Sequence, residues 1–265
     1  MQMSSLKEKL NNMFLKVVAG TVTREEGAML LNHLAKEDPS GTAEELSLLV
    51  DTPPQGVYPK TILHMVALAR NKAFYELMVA GLVNRDEEVS MMSAQELARI
   101  KSFEARNILA EHLNHHSLHV RKASASALIN GFPEGLDAVR RHVLGDCEPE
   151  YRLSSAQALV ESGRKGVESL LSVLVSGSPE GLDVAADALA YSAEELGAAD
   201  VQKVFEALTN AGDREDHASV IGLLRVVAAL KDKARGFEGF IQAFADSPLE
   251  QVRSEATSAL QKVRP

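Results

Sequence analysis

The chain has 265 residues, with 28 Lys and Arg against 37 Asp and Glu, giving a formal charge of −9. That balance argues against general nucleic-acid binding, whose phosphate contacts demand clustered cations. No apolar run approaches the roughly 18 to 20 residues that span a bilayer, and the single cysteine, Cys147, rules out an internal disulfide and fits a reducing, cytoplasmic compartment.

Hydrophobic residues make up 45% of the chain, aromatics only 5%, and Trp is absent. Ala, Leu and Val dominate, which suits helix-on-helix packing better than a sandwich of sheets. Residues 1 to 57 carry 5 basic and 8 acidic side chains, residues 58 to 160 carry 12 and 12, and residues 161 to 265 carry 11 and 17. The middle is neutral, so an anionic contact would belong there.

In chain order, the charged residues within the first twenty positions exclude the apolar core of a signal peptide, leaving an amphipathic helix. Helices are predicted near Ser5 to Val18, Thr23 to Lys36 and Thr42 to Val50. Each begins on a capping-box pair: Ser5 with Glu8, Thr23 with Glu26, Thr42 with Glu45. The stretch Asp51 to Pro59, DTPPQGVYP, cannot continue a helix. Residues 1–57 read as a helical cap, with a small separate interaction module as the alternative, and 58–265 as a repeat array.

From there a phrase recurs. VRKASASAL (Val120 to Leu128), YRLSSAQAL (Tyr151 to Leu159) and VRSEATSAL (Val252 to Leu260) are versions of one another. VSMMSAQEL (Val89 to Leu97) and GLDVAADAL (Gly181 to Leu189) are weaker copies. With the final Leu as marker, Leu97, Leu128, Leu159, Leu189, Leu224 and Leu260 follow at steps of 31, 31, 30, 35 and 36 residues, and Leu68 extends the series upstream by 29. A second segment with apolar residues three and four apart lies between successive markers, such as GLDAVRRHVL and GVESLLSVLV. Ser247-Pro248-Leu249-Glu250 and Ser178-Pro179 read as helix starts, and Gly131, Gly145 and Gly163 as left-handed caps. Each unit is then two antiparallel helices, and stacking such pairs buries a continuous core that one pair alone cannot.

The phrase, with an Asp several residues before the Arg, resembles the HEAT repeat, particularly the short bacterial form shared with phycobilisome-lyase-like proteins. The resemblance covers about residues 58 to 265 and implies an all-α, right-handed α-α superhelix, a HEAT-like solenoid of six to seven helix pairs. It implies an Asp–Arg ladder between turn and helix, here Asp146 with Arg152, Asp246 with Arg253, and Arg121. The units around Gly181 and Leu224 depart from it; both lack the Arg, and the second also lacks the small residue. The resemblance also implies that the Arg-phrase helices line a concave side, where Lys122, Ser126, Gln157, Asp183, Asp187 and Arg225 would meet a protein or peptide partner.

His112, His115, His116 and His119 form an H-x-x-H-H-x-x-H cluster at an inter-repeat turn. A metal would need three or four ligands converging at about 2.0–2.3 Å. The spacing permits this but matches no metal signature, so the plainer reading is a polar loop and no metal is assigned. Nor is any catalytic residue or cofactor. Phosphate-binding and nucleophile-elbow motifs are absent, and Cys147, near His142, sits among Asp146, Glu148 and Glu150, which disfavour a thiolate. The His-Glu dipeptides implied for di-iron HEAT enzymes do not occur. DNA glycosylases of this type imply a basic, aromatic channel, against which Arg121, Lys122, Arg140, Arg141 and Arg152 are the one basic cluster. The expected function is a non-enzymatic, cytoplasmic scaffold or adaptor that binds protein, not nucleic acid or membrane. The alternative is a HEAT-like enzyme or accessory factor, lyase-like or DNA-repair-like.

Overall fold

A computed structural model describes residues 5–176 and 179–263. Sixteen α-helices follow one another: α1 Leu6–Val18, α2 Arg24–Glu37, α3 Pro39–Asp51, α4 Pro59–Ala69, α5 Tyr75–Leu82, α6 Glu87–Ile100, α7 Phe103–Glu111, α8 Leu118–Gly131, α9 Gly135–Val143, α10 Pro149–Glu161, α11 Arg164–Ser176, α12 Pro179–Tyr191, α13 Ala198–Asp213, α14 His217–Leu230, α15 Glu238–Ala245 and α16 Glu250–Val263. Among the described residues there is no strand. The fold is all-α, built from antiparallel helix hairpins, and the chain divides into two compact units, one running to Pro133 and one from Glu134.

In the first unit α2, α4, α6 and α8 pack side by side in one layer, while α3 and α5 pack in a second and α7 closes against α6 and α8. In the second unit α10, α12, α14 and α16 form one layer, and α9, α11 and α13 the other, with α15 against α16. Turns of a few residues force consecutive helices to run antiparallel. The predicted phrase thus falls on the second helix of each hairpin, and all copies within a unit share one layer.

Leu97, Leu128, Leu159 and Leu189 are fully buried, each contributing roughly 1.5–3 kcal/mol of transfer free energy. The small residues sit where neighbouring helices touch. A Cβ on Gly131 would lie 2.5 Å from the Ala98 Cβ. Gly131 is therefore the last residue of α8, kept small by contact with α6, and not a left-handed cap; Gly145 has no positive φ either. Gly163, at φ +84, is such a cap.

Three other expectations shift. Leu68 is 36% exposed, so it marks no core position; Val66, 31 residues before Leu97 and 2% exposed, does. On α14, Gly222 is buried against Leu174 and Ala186, within about 3.5 Å of an added Cβ. The small residue is thus present and the register reads one residue earlier, ending on the buried Leu223. The third helix starts at Pro39, with Asp38 accepting from the Gly41 N–H, because proline suits the first helical position. Thr42 is then a fully buried helical residue and not a cap. The Ser5 and Thr23 capping boxes form as read. The start expected at Ser178 lies outside the described residues.

Candidate functional site

The outward positions of the phrase helices form the candidate surface, described for each unit separately. In the first unit Ser126 is exposed and Lys122 half-buried on α8, with Met91, Gln95 and Arg99 exposed on α6. Gln95, Arg99, Lys101, Ser126 and Asn130 line a cleft of about 310 Å3 that contains no carboxylate. Behind it Glu96 is 3% exposed, bonded to Arg99 and 3.1 Å from His64 Nδ1. Glu96 stands where the phrase has Ala, and its buried carboxylate is satisfied by partners from α4 and its own helix.

In the second unit Asp183 and Asp187 are exposed on α12, while Gln157 on α10 and Arg225 on α14 are half-buried. Arg225 joins two helices: Nη1 donates to Asp183 Oδ1 at 3.0 Å and Nε to Glu255 Oε1 at 3.4 Å. The structure brings Asp183 and Arg225 together and adds Glu255 of α16, whose role needed the packing of α14 on α16 to become visible. Among the described residues Asp187 and Gln157 make no such link. A depression of about 440 Å3 beside Arg225 is lined by Glu250, Gln251, Ser254 and Glu255. The exposed charge here is acidic, and pairs this open to water contribute at most about 1 kcal/mol.

The residues of the implied ladder act differently from the implication. Arg121, 1% exposed, donates from Nη1 to the carbonyls of His115 and His116, both at 2.9 Å. Arg253 donates to the Ser247 carbonyl at 3.0 Å. Neither Asp146 with Arg152 nor Asp246 with Arg253 forms an ion pair among the described residues; both aspartates are exposed. Arg152 is buried with no hydrogen-bond partner for Nε. The physical reason is reach: an Arg on the first turn of a helix meets the orphan carbonyls of the preceding turn, which are fixed, before it meets an exposed, solvated Asp. Where the Arg is missing, other donors serve. Ser90 Oγ donates to the Leu82 carbonyl at 2.6 Å. Arg214 Nη2 donates to the Val175 carbonyl at 2.9 Å. Lys233 donates to the carbonyls of Ala193 at 3.1 Å, Leu196 at 2.9 Å, and Glu194.

The histidines lie where the turn was expected. His112 and His115 rings stack with centroids 5.8 Å apart, and those of His115 and His116 are 4.1 Å apart. His112 Nδ1 lies 2.7 Å from the Ile108 carbonyl, and His115 Nδ1 accepts from the Ser117 N–H at 3.1 Å. His119 is engaged at both nitrogens, with Ser117 Oγ and with the Asn84 carbonyl, each at 2.9 Å. It pins α8 to the turn before α6. Among the described residues no three His, Cys, Asp or Glu side chains are grouped to hold a metal. Burial first, then the neighbouring His116, His112 and His119 and Arg121, push the His115 pKa down.

The second unit places Cys147 Sγ 3.6 Å from His142 Nε2, whose Nδ1 lies 2.9 Å from Ser155 Oγ. Burial pushes the Cys147 thiol up, with Asp146 and Glu148 adding to the rise against Arg152. Burial, then Arg152, push His142 down. The pair is therefore a neutral imidazole beside a protonated thiol, a weak nucleophile.

No helix among the described residues is long and apolar enough to cross a membrane. No family model matches the chain, and no curated protein matches it. Among solved structures, human deoxyhypusine hydroxylase in complex with glycerol is similar at 17% identity, covering 97% of this chain and 96% of that one, with a TM-score of 0.38. A designed armadillo repeat protein is similar at 18% identity over 71% of this chain and 99% of that one, with a TM-score of 0.32. An engineered protein is similar at 20% identity over 98% and 97%, also with a TM-score of 0.32. These likenesses transfer no activity or partner to this chain.

Proposed function

We propose that the chain is a non-enzymatic scaffold or adaptor of the cytoplasm. It binds a protein or peptide partner through the outward face of the phrase helices, where Lys122, Ser126, Gln157, Asp183, Asp187 and Arg225 lie. Residues 1–57 act as its helical cap; α2 and α3, packed on α4 and α5, support that role. The observation that carries the reading is the layer that the phrase helices form within each unit. Its small residues are spent on helix contact and its outward positions are left polar and open, as a docking face requires.

The test is quantitative affinity capture from the native host, comparing wild type with Asp183→Lys/Asp187→Lys. The expected result is loss of a specific partner by at least about tenfold, roughly 1.4 kcal/mol, with unchanged helicity and melting. Undiminished capture by a well-folded variant would overturn the reading.

A further inference from the structure

On the other layer of the second unit, α13 and α15 leave an apolar groove of about 520 Å3, which the docking face proposed above does not use. Its walls are Phe240 and Phe244 on one side and Thr209, Gly212 and Asp213 on the other, with Gly239 at its edge. Phe240 is 51% exposed although its ring belongs to a cluster with Phe205 and Phe237, centroids 6.2 and 6.0 Å away. Phe205 and Phe237 stack at 4.1 Å with their planes 4° apart.

Glycine opens the groove in two ways. At Gly212 a Cβ would lie 2.8 Å from Phe244, so the close approach of α13 and α15 requires its absence. At Gly239 a Cβ would meet nothing within 4 Å. There the fold does not need glycine, and what the missing side chain leaves open is the way into the groove.

The charge about the groove is one-sided. Asp213 is the only charged residue lining it, and among the described residues it makes no ion pair or hydrogen bond. Of the nearby cations, Arg214 keeps its charge but is turned to the carbonyls of Asn210 and Val175, and Arg235 pairs with Asp232 at 2.7 Å. The whole unit from Glu134 holds 14 Lys and Arg against 22 Asp and Glu, so −8 of the chain's −9 resides there. A cationic segment would be steered to this unit and an anionic one repelled.

We infer that the groove between α13 and α15 seats an apolar side chain of a basic peptide segment. The anchor lies between Phe240 and Phe244, and a neighbouring Lys or Arg pairs with Asp213. An amphipathic helix with apolar residues three and four apart and cations beside them has this pattern.

The probe is a fluorescein-labelled peptide of Leu and Lys, of roughly 14 residues or four helical turns, read by anisotropy at physiological salt against the full chain. Two control peptides replace Lys by Glu or Leu by Ser. The expected result is saturable binding of the Leu/Lys peptide alone, weakened at least about tenfold by Gly239→Trp, which fills the groove without clash. Asp213→Lys weakens it likewise, and Glu195→Lys, at an exposed acid of the same unit outside the groove, leaves it within about twofold. Amide shifts in NMR spectra should gather at Gly236, Gly239 and Ala243. Where Gly239→Trp lowers melting, Asp213→Lys decides alone. Binding of the Glu or Ser peptide, equal loss in Glu195→Lys, no saturation, or shifts centred on Arg225 would each overturn the inference. So would a self-association by sedimentation that Gly239→Trp abolishes, since the occupant would then be a second copy.

Discussion

In the unit that ends at Pro133, the turn before α8 is gripped by a buried arginine; in the unit that begins at Glu134, the turn before α16 is gripped by an exposed one. The two contacts share a chemistry, guanidinium to backbone carbonyl, and differ in surroundings. Arg121 is 1% exposed and bonds two carbonyls. Arg253 is exposed and bonds one. The units differ in charge as well: the first is nearly neutral at −1, the second carries −8. One repeat phrase thus supports two regimes. The contact before α8 lies inside the core, and the contact before α16 lies at the surface of the more acidic unit.

The comparison is broken most severely at the arginines. Arg121→Ala should cost about 3–5 kcal/mol, since it removes two charge-assisted bonds, about 1.5–3 kcal/mol each, together with the packing of a buried side chain. Arg253→Ala, in water, should cost under about 1 kcal/mol. Urea unfolding of both variants checks this, and equal losses would mean that burial does not separate the two contacts. Next come the small phrase residues Ala127 and Ala259, 4% and 0% exposed. Leu at either should overpack the helix contacts and cost roughly 1–3 kcal/mol. Similar losses at both positions would place the helix layers of the two units under the same packing rule, whatever their charge. A smaller effect has the opposite sign: Gly239→Ala adds a Cβ into open space and should stabilise by about 0.5 kcal/mol through reduced unfolded-state entropy, read as a small rise in melting temperature.

The subtlest is protonation. His142 in the second unit and His115 in the first both have pKa values lowered from 6.5 by burial. The unfolded chain then binds the proton more readily, so the stabilisation is complete above 6.5 and is lost as pH falls through that value towards the folded pKa. His142→Gln should flatten the fall in stability between about pH 7.5 and 5.5. An unchanged slope would assign the dependence to His115.

Much of the architecture could be read from periodicity. Buried Leu at Leu97, Leu128, Leu159 and Leu189 recurs because each hairpin presents the same residue to the core. The reading slipped by one residue at Leu224 and by two at Leu68. Near Leu224 glycine replaces alanine at the contact, and near Leu68 the apolar run HMVALA offers several equivalent registers. Of the candidate surface, the outward placement of Asp183 and Arg225 is legible from the phrase, and their ion pair is not. Glu255 was missed because its contact depends on which helices lie side by side. Glu96 was missed because a buried carboxylate looks like a solvated one until its partners on α4 are placed. Lys233 was missed because its three acceptors lie 37 to 40 residues earlier, beyond any repeat spacing.

That reach of Lys233 bears on how the protein is made. As the polypeptide emerges from the ribosome, α12 and α13 can form, yet the backbone carbonyls of Ala193, Glu194 and Leu196 wait for an ammonium synthesised later. The corner between those helices is completed only when the segment after α14 arrives. Nascent chains halted before that point should be cut readily at this corner by a protease, and those halted beyond it should resist.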